Sequence, residues 1–122
     1  MTKYRYADWL LRALMVTLFT LAGAMKLTAH PFELHGFARF GYETWFMYGI
    51  GLIEFAAAFA LLHARLLLPS VALLAAVLVG AIASHLRVGD PLAEAAPAFI
   101  ALAMLVVLAG LHWPGRRSAQ GA

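Results

Sequence analysis

Glu54 is the residue in this chain best placed for chemistry, because it is the one acid set inside a long apolar stretch. A charge in hydrocarbon costs about 2.5 to 3.5 kcal/mol on insertion scales, so an acid there needs compensation. Read as a helix, its stretch places Glu54 about ten residues in, roughly 15 Å deep and near the middle of a bilayer. Three roles suit such a group: relaying a proton, hydrogen-bonding a ligand, or serving as a structural acid that stays protonated. Met47, Ile50, Gly51, Ala57, Ala58 and Leu61 share its helical face, and the small ones turn the carboxyl toward neighbouring helices rather than lipid.

The other polar groups of interest are Lys26, at the end of the first apolar stretch, and His85, Arg87 and Asp90, at the end of the third. All four belong to one side of a membrane, so a polar pocket above Glu54 is expected from Lys26, Glu54, His85, Arg87 and Asp90. Depth argues against a direct Lys26–Glu54 contact, because Lys26 lies only about 3 Å below the boundary. The plainer reading of Lys26 is a snorkelling cation. Likewise, Gly89 suits a left-handed helix cap, His85 and Arg87 suit the negative end of a helix, and Pro91 prevents continuation. The five histidines do not suggest a metal or haem. His63 and His112 belong to one side, and His30, His35 and His85 to the other, about 30 Å away.

Positioning these groups falls to four apolar stretches, about 9–28, 44–63, 66–85 and 95–113. Hydrophobic residues make up 64% of the 122 residues and charged residues 12%, far from the roughly half apolar and quarter charged of a soluble domain. Each stretch is close to the roughly 20 residues that a helix needs to cross a bilayer. The stretches run continuously instead of alternating, which excludes a membrane barrel and leaves helices, whose backbone groups are satisfied internally. The expected fold is all-α: a single domain over 1–122 forming a four-transmembrane-helix bundle. Between the first two spans, Pro31 and the apolar Phe32, Leu34, Phe37 and Phe40 predict a short interfacial helix over about 31–40. Tyr42, Trp45, Phe46 and Tyr48 follow as an aromatic belt. The very short connection at His63, Ala64 and Arg65 makes the second and third helices antiparallel neighbours. Ala72, Ala76, Gly80 and Ser84 recur every four residues, and with Gly51 they are expected to pack against other helices; a ligand groove is the alternative. On the packing reading, Gly80→Leu should disturb the bundle more than Leu78→Ala.

Charge orients the bundle. Lys3, Arg5, Arg12, Arg65, Arg116 and Arg117 fall on one side, while Lys26, Arg39 and Arg87 on the other are offset by Glu33, Glu43, Asp90 and Glu94. The positive-inside rule then predicts both termini in the cytoplasm of a bacterial inner membrane. The start has signal-peptide features, with Ala22-Gly23-Ala24 as a small-x-small site, but this charge balance favours keeping the first helix. The net charge of +3 reflects anchoring rather than nucleic-acid binding. Zero cysteines rule out disulfides, iron–sulfur clusters and thiol chemistry in this chain.

Several segments together resemble the DoxX-like family of small four-helix membrane proteins. They are Leu21-Ala22-Gly23-Ala24-Met25-Lys26-Leu27, Gly41-Tyr42-Glu43, Gly49-Ile50-Gly51-Leu52-Ile53-Glu54, and the run from Gly80 to Asp90. The family is named for a subunit of a quinone-linked respiratory and sulfur-oxidising complex. The resemblance implies a membrane location, a quinone as ligand, a redox-complex partner or a second copy of the chain, and Lys26, Glu54, His85 and Arg87 as motif positions. It does not imply catalysis by this chain alone. The expected function is an accessory subunit of a quinone-linked redox system. The alternatives are a non-catalytic binding or assembly protein and, third, a small proton-coupled transporter.

Overall fold

The computed structural model describes residues 4–115; Lys3, Arg116 and Arg117 lie outside the described residues. It is all-α. α1 spans Arg5–Leu27, α2 Pro31–Phe40, α3 Thr44–Ala60, α4 Leu67–Arg87 and α5 Ala96–Leu111, with a 3-10 turn at Leu92–Ala95 leading into α5. Arg5–Leu27, Leu67–Arg87 and Leu92–Leu111 are long and apolar enough to cross a membrane, whereas α3 is a shorter apolar helix.

Local chemistry sets these boundaries. Ala29 takes a left-handed φ of 54° after α1. His30 then caps α2, its Nδ1 accepting from the Phe32 amide at 3.1 Å, and Pro31 occupies the first helical position, where its missing donor is harmless. Gly41, with φ 87°, ends α2, and Gly89, with φ 80°, follows α4 as expected of a left-handed cap. The stretch expected over 44–63 stops being helical at Ala60. The Leu62 amide donates to the Phe59 carbonyl and the His63 amide to that of Ala60, winding the end into tighter turns. At 17 residues, α3 is about 25 Å long.

The four long elements form a ring in which α1 and α4 each pack against both α3 and α5. α2 leans on α3 and α1 at one end, here called the capped end. The opposite, terminal end holds the α3–α4 turn and the core, with Met15, Phe19, Leu61, Leu67, Leu74 and Leu105 buried together. The α1–α3 seam is the tightest contact. A Cβ on Gly23 would lie 2.7 Å from the Gly51 carbonyl oxygen and 2.8 Å from the Phe55 amide nitrogen, and one on Gly51 would lie 2.7 Å from Lys26 Cβ. Small residues bring backbones together where packing rather than water exclusion drives association.

Candidate functional site

The glycine seam decides where Lys26 ends up. Because Gly23 and Gly51 let α1 lie against the middle of α3, the last turn of α1 meets α3 well below the start of that helix. Lys26 Nζ therefore sits 2.8 Å from Glu54 Oε1, with side-chain exposures of 11% and 5%. The expectation from depth, that these groups are too far apart to pair, is corrected: it assumed that α1 and α3 end at the same level. The pair is ionic rather than a well-aligned hydrogen bond, since Glu54 Oε1 is buried and receives none. Lys26 Nζ instead donates to Glu33 Oε1 of α2 at 3.2 Å. One buried ammonium thus serves two carboxylates.

Beside this triad a cavity of about 660 Å³ separates the halves of α3 and α4 nearer the capped end, roofed by α2. Lys26, Glu33 and Glu54 line it, as do the rings of Phe37, Phe40, Tyr42 and Phe46. The rings touch one another: Tyr42 and Phe46 meet edge-on at 5.2 Å between centroids, and Phe37 lies 6.1 Å from Tyr42. Lys26 Nζ is 6.0 Å from the Phe37 ring centre. On the α4 side the small Ala76, Gly80, Ala81 and Ser84 line it alongside the larger Leu73, Val77, Leu78 and His85.

Several polar contacts hold the roof. Arg39 of α2 donates from both terminal nitrogens to Asp90, at 2.8 and 2.7 Å, and His85 Nδ1 lies 2.7 Å from Asp90 Oδ2. The Arg39 guanidinium, then His85, depress the Asp90 carboxyl to about 2, and Asp90 in turn raises Arg39. Arg87 donates to the Phe40 carbonyl, and Tyr42 and Ser84 share a hydrogen bond of 2.7 Å. Ser84, then Arg87, lower the Tyr42 phenol from its ordinary value.

Of the expected pocket residues, Lys26, Glu54 and His85 line the cavity, whereas Arg87 and Asp90 brace its roof from behind. The small residues fall on two kinds of surface. Gly51 packs as expected, but Ala72, Ala76 and Gly80 are exposed, and a Cβ on Gly80 would meet nothing within 4 Å. No helix among the described residues covers them, because the cavity separates α3 from α4 there. Ala76, Gly80 and Ser84 border the cavity instead, as in the groove alternative.

Glu33 and Arg39 entered the sequence reading only as loop charges. The signal for Glu33 was its place seven residues after Lys26, across a break that folds α2 back over the end of α1. A second buried cluster, at the terminal end, gave less warning. Arg12 donates to Asp8 at 3.0 and 3.2 Å, and His112 Nε2 lies 2.6 Å from Asp8 Oδ1. Asp8 and Arg12 are each 6% exposed. Their i, i+4 spacing was readable, whereas the partner just after α5, 104 positions away from Asp8, was not.

The DoxX-like family model matches residues 10–109, a span holding α2, α3 and α4, the triad and the whole cavity wall, and the chain belongs to that family. No curated protein and no solved structure matches the chain.

Proposed function

We propose that this protein binds a membrane-dissolved small molecule in the cavity beneath α2, as the non-catalytic membrane subunit of a quinone-linked redox system. The single observation behind this reading is the cavity itself. It is large enough for a ring-bearing headgroup, with aromatic and aliphatic walls and a few convergent polar groups, the usual make-up of a small-molecule site. Lys26, Tyr42 and His85 offer donors to a carbonyl or hydroxyl headgroup. The family supplies the redox connection by resemblance alone.

The reading includes a topology. α3 completes a fourth crossing in a bacterial inner membrane, with α2 at the outer interface and both termini cytoplasmic. The absence of acids and bases between Thr44 and Ala60 other than Glu54 supports this crossing, and the exposed Phe32 and Trp45 give α2 and the start of α3 rings to set at the headgroups.

A photoreactive quinone analogue tests the reading. Labelling should map to α2, α3 or α4 peptides and should fall in Glu54→Gln and Phe37→Ala proteins that still elute as folded bundles. Labelling confined to α5, or unchanged by both substitutions, would sink it.

A further inference from the structure

Immediately around Lys26 the carboxylates outnumber the cations. Glu33 and Glu54 face one cation, Lys26, and their side chains are 14%, 5% and 11% exposed. Arg39 also lines the cavity, but Asp90 engages both of its terminal nitrogens. Arg87 is turned to the Phe40 carbonyl. Glu94 adds a further carboxylate at the rim. A buried carboxylate without a full counter-charge is costly, and Glu54, 4% exposed, has an oxygen that accepts no hydrogen bond.

The second observation is independent of the first. Phe37, Phe40, Tyr42 and Phe46 line the same space as a connected ring cluster. The negative face of an aromatic ring attracts a cation, and organic cations are the ligands that such cages recognise best. Apolar walls favour a molecule whose charge is buried in hydrocarbon over a hydrated inorganic ion.

We infer that the cavity takes a lipophilic monocation, its apolar body among the four rings and its charge opposite Glu33 and Glu54. The inference rests on the cavity being a ligand site and not on its connection to a redox system. Among the α4 residues that line the cavity, Ala76 and Gly80 are small, and the space beside Gly80 is open to the body of the ligand.

Equilibrium binding to the purified full chain in a neutral detergent tests this with three probes: tetraphenylphosphonium, the uncharged triphenylphosphine oxide, and a short-chain quinone. Tetraphenylphosphonium should bind saturably, about tenfold or more tighter than the oxide, and Glu33→Gln should weaken it by about tenfold. Lys26→Gln should move affinity the other way, tightening the cation and leaving the oxide unchanged. Should that variant fail to fold, Glu94→Gln at the exposed rim must still weaken the cation, by a smaller factor. Equal binding of cation and oxide, or indifference of the cation to Glu33→Gln, overturns the inference. Quinone binding without cation binding overturns it while leaving the cavity reading intact. Cation binding without quinone binding upholds it and removes the quinone, and binding of none of the three overturns both.

Discussion

Both ends of this bundle bury ions, but they do so differently. At the terminal end Asp8 meets Arg12 through two hydrogen bonds and His112 through a third contact, and none of the three lines the cavity. At the capped end a lone lysine divides itself between Glu33 and Glu54 beside about 660 Å³ of open space. The first cluster matches charge with charge and shuts water out, which is how ions serve a fold. The second leaves charge over and space beside it, the arrangement on which the proposed ligand site rests. Burial alone does not separate structural from functional ions; balance and adjacent volume do.

The comparison breaks most readily at the terminal end. Asp8→Ala strands Arg12 and should cost about 3 kcal/mol in unfolding titrations, as breaking a buried pair does, with ligand affinity in the surviving folded fraction unchanged. A fall in affinity without a fall in stability would reverse the roles of the two ends. The packed and hollow halves differ next. Leu78, 8% exposed and packed into the core even though it also borders the cavity, should cost about 2 kcal/mol or more as Leu78→Ala. Gly80→Leu should stay within about 0.5 kcal/mol of wild type, since its new side chain enters the cavity, yet it should block labelling by a quinone analogue. This reverses the order expected from the small-residue stripe, and greater damage from Gly80→Leu would restore that order. The smallest effect concerns the roof. The Asp90 carboxyl is depressed to about 2, so its stabilising contribution is present above the unfolded value of about 3.9 and is lost as pH falls toward 2. The melting-temperature gap between wild type and Asp90→Asn should shrink as pH falls from about 4 to about 2; a gap unchanged over that range would contradict the Arg39–Asp90 contact.

Apolar runs and punctuation made the helices legible. Pro31, Gly41 and Gly89 mark real ends, and α2 falls on Pro31–Phe40 as its pattern implies. The α3 end at Ala60 was hidden, because Leu61 and Leu62 prolong the apolar run while tighter hydrogen bonds replace the helix. At the site, Glu54 and Lys26 stood out as charges in apolar sequence, but their contact depends on relative helix height. That height is set by two glycines on different helices, each with a neighbour's backbone within about 3 Å of where its Cβ would sit, and no single run encodes that pairing. The stripe of Ala72, Ala76 and Gly80 reads the same whether a helix or a cavity faces it. Asp8 and Arg12 announce each other by spacing, while His112 joins them only once the ring of helices closes.

The short connection between α3 and α4 has a mechanical consequence. It acts as a fulcrum, with α4 as a lever of 21 residues, about 31 Å long. Tilting that lever by about 5° displaces its far tip by about 2.7 Å, roughly the radius of a methyl group plus half a bond length. The Arg39–Asp90 contact ties α2 just beyond that tip, where a modest force has its greatest torque. A contact placed there opposes such a tilt with a longer arm than the same contact would have near the fulcrum, and it shares that load with the Arg87–Phe40 and Tyr42–Ser84 contacts.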